Sequence, residues 1–181
     1  YGEDGDTPDD ELFAERQVLF IRDTILAADR DHDLPDYDVH IGVHAGAGQE
    51  ADVAGDSPEQ LWSVFAPFEV LQHYLPDSTK AGGILTADST ATGEPYYVKF
   101  ALVLPEVESQ DIDPRSGQPF VFGLTGVYVH EFGHAVGLPD LYDTTPGDFP
   151  DSQGLGSFDV MAAGTWNGNG FVPARPSAWS L

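Results

Sequence analysis

Apolar residues recur at helical spacing near the start of the chain. Ile21, Ile25 and Ala28 are four and three residues apart, which places them on one face of an α-helix. Upstream, the segment TPDD is typical of a helix start, with Thr7 as the N-cap and Pro8 at the first helical position. A helix is therefore predicted up to about residue 28. The preceding residues 1–7 are polar and expected to be mobile.

Two later segments are rich in β-branched and aromatic residues and are predicted to be strands. They are VHIGVHAG (39–46) and YYVKFALVL (96–104). The apolar segment 61–75, LWSVFAPFEVLQHYL, is interrupted by Pro67, so both a strand and a helix remain open there. Residues 105–119 are predicted to form a loop.

The pattern in the last third of the chain predicts one helix and little other regular structure. Residues 122–136 have helical spacing, and Gly137 is expected to end the helix. The sequence beyond it is rich in Gly, Pro, Asp and Asn, which favours irregular structure. At 181 residues the chain is predicted to be a single α+β domain.

The chain is strongly acidic. It contains 31 Asp and Glu residues against 7 Lys and Arg residues, which gives a net charge of -24 at pH 7. Such a charge repels nucleic acids and anionic membranes, so neither is an expected partner. Two explanations stay open, a solubilising surface and adaptation to high salt.

Several function classes are excluded by residues that the chain lacks. It has no cysteine, so thiolate metal ligands and a cysteine nucleophile are impossible. It has no G-x-S-x-G motif that would support a serine hydrolase, and no apolar run near the roughly 18 residues of a membrane span. The sequence opens at Tyr1 without a charged-then-apolar leader, so any secretion signal or propeptide is expected to have been removed or left out of this sequence.

The strongest chemical signal is HEFGH, residues 130–134. On the predicted helix, His130 and His134 lie one turn apart on the same face, where both imidazoles can bind one zinc ion. Glu131 lies beside them and is predicted to be the general base for the attacking water. A chance occurrence of H-E-x-x-H is rare in a chain of this length.

The third zinc ligand is predicted by elimination. After His134 the chain contains no Glu and no His, so a downstream ligand must be an Asp. Gly137 can adopt the left-handed conformation that turns the chain back, which favours Asp140, with Asp143 held in reserve. The full set of downstream candidates is Asp140, Asp143, Asp148, Asp151 and Asp159.

Other residues near this motif have predicted roles. Met161, the only methionine, lies in GSFDVMAAGTW and is predicted to form a Met-containing turn under the zinc site, although core packing is the alternative. The Tyr142 hydroxyl is a candidate donor to the developing oxyanion, with a structural hydrogen bond as the alternative. Three further aspartates are candidate calcium ligands, namely Asp143, Asp148 and Asp151.

These motifs resemble the immune inhibitor A family of secreted zinc metallopeptidases. The resemblance rests on VHEFGHAVGLPDLYD (129–143), GLGSFDVMAAGTW (154–166), HIGVHAGAGQEA (40–51) and LWSVF (61–65). Snapalysin-like proteases share the Asp-terminated motif but lack the HAGAGQE segment. Family members usually continue beyond PSAWS, so the resemblance implies that the natural protein extends past Leu181.

The resemblance implies a metzincin-like zinc protease domain, often calcium-stabilised. Such a domain has a mixed, twisted β-sheet, an active-site helix and an irregular C-terminal part with a Met-turn. It further implies zinc on His130, His134 and Asp140, with Glu131 as general base. The expected function is therefore a secreted, monomeric zinc endopeptidase that hydrolyses peptide bonds in proteins. The alternative is a secreted, non-enzymatic calcium-binding module with a structural zinc site.

Overall fold

The computed structural model describes residues 10–75, 82–144 and 152–180. The chain divides into two compact units, Tyr1–Glu106 and Val107–Leu181. The predicted helix start at Thr7 and Pro8 lies outside the described residues. The assignment of all 181 residues to a single catalytic domain stays a prediction.

Helix α1 of the first unit spans Asp10–Ala28, which confirms the predicted amphipathic helix. Its buried stripe consists of Val18, Ile21 and Ile25, spaced by three and four residues. Together with Leu71 and Leu75 these side chains belong to the hydrophobic core of this unit.

A three-stranded sheet contains β1 (Ile41–Ala47), β2 (Val64–Ala66) and β5 (Ala101–Val107), in the order β1-β5-β2. Strands β2 and β5 are antiparallel, with Val64 opposite Val103. Residues 101–105 of the central strand β5 are all buried, so both faces of the strand are covered, which explains an uninterrupted apolar run where a strand with one exposed face would alternate.

The prediction of a single strand over residues 96–104 is wrong. The chain leaves strand geometry at Lys99 and Phe100, so that β4 (Pro95–Val98) ends before β5 begins. β4 pairs with β3 (Ile84–Ser89) in a separate antiparallel hairpin. Strand propensity is the same on both sides of the break, and it does not specify which partner each half pairs with. The predicted loop 105–119 also begins later, since β5 extends to Val107.

The ambiguous segment 61–75 contains both of the structures left open for it. Strand β2 ends at Ala66, Pro67 is the N-cap, and helix α2 follows over Phe68–Tyr74. Proline fits this position because the first turn of a helix has no partner for its backbone N–H groups.

The second unit is built around helix α3, which spans Leu124–Ala135 and confirms the helix predicted over residues 122–136. Beyond it, the described residues contain two short 3-10 turns, Gly156–Phe158 and Ala163–Trp166, in agreement with the predicted irregular structure. The α+β class is therefore confirmed. None of the helices in the described residues has the length and apolarity to cross a membrane.

Candidate metal centre

Helix α3 presents two imidazoles at one point. His130 and His134 are one turn apart, and their Nε2 atoms are 3.3 Å from each other. Their rings meet nearly at right angles, with centroids 4.9 Å apart. His130 is buried and His134 is partly buried.

The opposite edge of each ring is fixed by a backbone carbonyl. Nδ1 of His130 donates to the Val160 oxygen at 2.8 Å, and Nδ1 of His134 donates to the Leu138 oxygen at 2.8 Å. A carbonyl only accepts hydrogen bonds, so the ring proton of each histidine belongs on Nδ1. In the neutral ring each Nε2 atom then has a free lone pair, the form in which imidazole binds a metal.

Helix α3 ends abruptly at Gly137. This residue has φ +94°, and its N–H donates to the His134 oxygen at 2.9 Å. The Leu138 N–H donates back to the Gly133 oxygen at 3.0 Å. These two bonds form a Schellman motif, so the glycine does end the helix as predicted. The same turn places the Leu138 carbonyl against His134.

After this turn, the carboxylate of Asp140 reaches the two imidazoles. Its Oδ1 atom is 3.2 Å from His130 Nε2 and 3.4 Å from His134 Nε2. This oxygen is buried and has no hydrogen-bond partner among the described residues. Three atoms that can each offer an electron pair to a cation therefore converge on one point.

This triangle of atoms fits a zinc ion. Zinc bonds to imidazole nitrogen and carboxylate oxygen measure about 2.0–2.2 Å, so the edges of a zinc tetrahedron are about 3.3–3.6 Å long. The three observed edges measure 3.2, 3.3 and 3.4 Å. A cation would also provide the partner that the Asp140 oxygen lacks. The donor set and its spacing thus match the metal that the sequence predicts.

The remaining Asp candidates for the third ligand are not found among the converging atoms of the described residues. Asp159 uses its carboxylate elsewhere, since it accepts hydrogen bonds from Met161 N–H and from Ser177. Asp143 is not part of the group of converging ligand atoms found in the described residues. Asp148 and Asp151 lie outside those residues. The calcium site predicted at Asp143, Asp148 and Asp151 therefore stays a prediction.

The electrostatics of the centre favour an ionised Asp140. Burial opposes its charge, but hydrogen bonds and charge from the two imidazoles in their protonated form outweigh burial and hold the pKa of Asp140 well below its ordinary range. Burial also opposes protonation of His130, whereas Asp140 and the Val160 carbonyl favour it and prevail, so its pKa is raised. The pKa of His134 is also raised, because Asp140 and the Leu138 carbonyl outweigh the effect of burial.

Residues 159–166, hereafter the 159–166 segment, pack closely against helix α3. A Cβ atom on Gly133 would lie 2.5 Å from Met161 Sδ, and one on Gly126 would lie 2.0 Å from the Thr165 oxygen. Real Cβ atoms do not approach other atoms so closely, so both glycines are needed for this contact. Met161 itself is fully buried.

The 159–166 segment is also bonded to the loop that holds Asp140. The Leu141 N–H donates to the Met161 oxygen at 2.7 Å. Successive carbonyls of this segment therefore fix both sides of the centre. Val160 holds the ring of His130, and Met161 holds the residue next to Asp140.

Comparison with known proteins agrees with the geometry. A family model described as the immune inhibitor A peptidase M6 catalytic domain matches residues 111–180, which include all three converging ligands. Immune inhibitor A of Bacillus thuringiensis subsp. alesti is 31% identical over 140 residues, covering 76% of this chain and 16% of that protein. The chain belongs to the immune inhibitor A peptidase family.

A second relative has a name that states its class. Pre-pro-metalloprotease PrtV of Vibrio cholerae serotype O1 (strain M66-2) is 26% identical over 178 residues, covering 86% of this chain and 17% of that protein. The chain thus spans less than a fifth of the length of both relatives. The predicted family is confirmed.

Two more residues of this family member lie at the centre. Glu131 is 8% exposed, and its charge acts on His130 and Tyr142. The Tyr142 ring stacks on His130 with centroids 6.4 Å apart. Burial, the charge of Asp140 and a hydrogen bond to it raise the pKa of Tyr142 to about 12, so its hydroxyl keeps its proton at neutral pH.

Sequence reasoning missed the groups that hold the ligands in place. The carbonyls of Leu138 and Val160 have no signature in the sequence, because any residue type supplies a carbonyl. Thr165, whose hydroxyl is 3.2 Å from His130 Nδ1, lies in the quoted segment AAGTW without a signal of its own. Asp159 was weighed as a metal ligand, whereas the structure makes it an anchor of the 159–166 segment.

Gly137→Ala is expected to weaken zinc binding by disturbing the helix end. Alanine at φ +94° is strained by about 1–2 kcal/mol, and relief of this strain would move Leu138 and Asp140. Zinc affinity, measured by competition with a chelating dye, should fall. The matched control is Gly93→Ala, at φ +82° in an equally open position of the first unit. It should lose similar stability with unchanged zinc affinity, and equal losses of affinity in both variants would contradict this role for Gly137.

Asp159→Asn should destabilise the chain in a pH-dependent way. Burial opposes the charge of Asp159, but hydrogen bonds from Ser177, Met161 and Ser180 outweigh it and hold its pKa below the ordinary 3.8. A lowered pKa means that the stabilisation is complete above that value and is lost as the pH falls through the folded-state pKa. The amide of asparagine would turn an N–H₂ group towards groups that themselves donate hydrogen bonds. The free energy of unfolding should therefore fall by about 2–4 kcal/mol at pH 7.

Thermal melting of the wild-type chain and of Asp159→Asn, followed from pH 7 to pH 3, measures how much stability the substitution removes at each pH. The melting temperatures should be well separated at pH 7 and should converge below pH 4. Asp113→Asn is the control, because Asp113 accepts comparable bonds from Arg115 and Ser116 in a partly exposed loop. A gap for Asp159→Asn that stays constant down to pH 3 would refute the assigned charge state.

Proposed function

We propose that this chain is the catalytic part of a zinc-dependent endopeptidase. The observation that supports this most strongly is the convergence of His130 Nε2, His134 Nε2 and Asp140 Oδ1 at 3.2–3.4 Å beside a buried glutamate. We assign these three atoms as the zinc ligands. Three protein ligands leave one tetrahedral position for water or substrate, as in catalytic rather than structural zinc sites.

The protein would use its own groups for the proton transfers. When bound, zinc polarises the substrate carbonyl and makes a neighbouring water more acidic. Glu131 accepts the proton of the attacking water and then passes it to the amine that leaves. Burial favours this role, because bulk water competes less for the proton that a buried carboxylate accepts.

Tyr142 is assigned a supporting role. Its hydroxyl is protonated at neutral pH, as in an ordinary tyrosine, and burial and Asp140 raise its pKa further, to about 12. A protonated hydroxyl next to the metal ligands can donate to the oxygen that gains negative charge as the carbonyl is attacked. Because the Asp140 carboxylate lies close enough to act on this hydroxyl, donation to the substrate oxygen competes with the attraction of Asp140.

We further propose a metzincin-like arrangement in which the 159–166 segment is the Met-turn. Burial of Met161 and the approach of its sulfur to Gly133 on the zinc-binding helix support this assignment. Secretion and bound calcium follow from the family resemblance, and both remain proposals, as does the monomeric state that we favour. Protein substrates are proposed because the relatives are named as peptidases.

Glu131→Gln should abolish proteolysis and leave the metal bound. Glutamine fills the same space but cannot accept a proton, so kcat/KM should fall by at least about 10²-fold. Cleavage of unfolded casein, together with zinc content measured by plasma mass spectrometry, reads both properties. Glu94→Gln, on an exposed position of the first unit, is the control and should retain full activity.

The outcomes separate the two candidate functions. If wild type binds zinc but cleaves nothing, the non-enzymatic module with a structural zinc site is favoured. If Glu131→Gln cleaves casein at the wild-type rate, Glu131 is not the base. Tyr142→Phe, included in the same assay, should lower kcat more than it changes KM, because its hydroxyl acts on the developing charge.

Asp140→Asn should weaken zinc binding far more than Asp143→Asn. A neutral amide oxygen is a weaker zinc ligand than a carboxylate, and its N–H₂ group would face two imidazole nitrogens if the side chain rotated. Zinc dissociation constants of the two variants are compared by competition with a chelating dye. The opposite ranking would transfer the third ligand to Asp143.

A further inference from the structure

The hydroxyl of Thr165 lies at the Nδ1 edge of the His130 ring. Its Oγ1 atom is 3.2 Å from Nδ1 and also donates a hydrogen bond to the Val160 oxygen. Nδ1 donates to the same carbonyl at 2.8 Å. Thr165 is 5% exposed, so water does not compete for these bonds.

The protons of this cluster can be assigned in one consistent way. The Thr165 hydroxyl proton points to Val160, so its oxygen lone pairs are available to the His130 ring. The single proton on Nδ1 is then shared between the Val160 carbonyl and Thr165 Oγ1, and the carbonyl uses both of its lone pairs. With the proton on Nε2, the bare Nδ1 would face a carbonyl oxygen at 2.8 Å, which is repulsive.

We propose that Thr165 is a positioning residue for the metal centre, acting through His130. By accepting from Nδ1–H and donating to Val160, it fixes the tautomer and the plane of the ring, so that Nε2 presents its lone pair beside His134 and Asp140. This inference rests on the proposed function, since it assigns Thr165 a role towards the metal that those ligands bind.

The packing of the backbone supports a role beyond that of a buried hydroxyl. Gly126, one helical turn before His130, leaves the space into which the Thr165 carbonyl fits. The Thr165 N–H donates to the Ala162 oxygen at 3.1 Å within a 3-10 turn. The backbone of Thr165 is thus held against the helix that bears His130, which sets the distance from the hydroxyl to the ring.

The two histidines differ in where their anchors come from. The Leu138 carbonyl that holds His134 is four residues away and belongs to the end of the same helix. His130 is held by groups 30 and 35 residues later in the chain. Its orientation therefore depends on correct folding of the 159–166 segment, and Thr165 is the side chain that makes this connection.

The test compares Thr165→Val with Thr165→Ser in the full chain. Valine has the shape of threonine without the hydroxyl, and serine keeps the hydroxyl without the methyl group. Zinc affinity is measured by competition with a chelating dye. The visible spectrum of the cobalt-substituted protein, which reports ligand geometry, is the second readout. Valine should weaken zinc binding about 10–100-fold and alter the cobalt bands, and serine should stay within about threefold of wild type.

Thr86→Val provides the matched control. Thr86 is 7% exposed, and its hydroxyl donates to the Tyr96 carbonyl at 3.1 Å in the hairpin of the first unit. Removal of this hydroxyl should lower the melting temperature by a similar amount. Zinc affinity and the cobalt spectrum should not change, because Thr86 has no bond to a ligand histidine.

Each outcome decides the proposal. Three results would overturn it while leaving the proposed function intact. They are wild-type zinc affinity in Thr165→Val, a loss of zinc affinity of tenfold or more in Thr165→Ser, and a loss of zinc affinity in Thr86→Val equal to that in Thr165→Val. Failure of wild type itself to bind zinc would overturn both. If Thr165→Val does not fold, Thr165→Ala against Thr165→Ser makes the same comparison.

Discussion

The geometry of the candidate centre depends on how helix α3 ends. Gly137 adopts φ +94°, and two backbone bonds to His134 and Gly133 close the last turn. This single turn has two effects on the centre. It places the Leu138 carbonyl against one imidazole, and it reverses the chain so that Asp140 meets both. A helix that continued past this residue would carry Asp140 away from the histidines.

The second requirement is the 159–166 segment, which supports the centre from the other side. Its Val160 carbonyl holds His130, and the next carbonyl, of Met161, holds the residue after Asp140. The buried carboxylate of Asp159 fixes the start of the segment by accepting from Met161 N–H. The three candidate ligand atoms thus converge because helix α3 and the loop that carries Asp140 are both bonded to the 159–166 segment. Such bonds keep a metal-binding arrangement preformed.

The sequence predicted the parts of this arrangement that depend on local rules. Helix α3, its end at Gly137 and the proximity of Asp140 to the histidines all follow from spacing and glycine chemistry. Long-range partners were not predictable, because strand propensity could not divide residues 96–104 between two sheets. The anchoring roles of Thr165 and Asp159 were missed for the same reason, since Thr165 contacts His130 and Asp159 contacts Ser177, both distant in the chain.

The central claim is that two histidines and one aspartate bind the metal, where a third histidine would be the familiar alternative. X-ray absorption at the zinc edge of the chain loaded with one equivalent of zinc tests this directly, because imidazole rings give a distinctive outer-shell signal. The account predicts two imidazoles with oxygen ligands completing the shell at about 2.0–2.2 Å. A signal from three imidazoles, or from fewer than two, would contradict it.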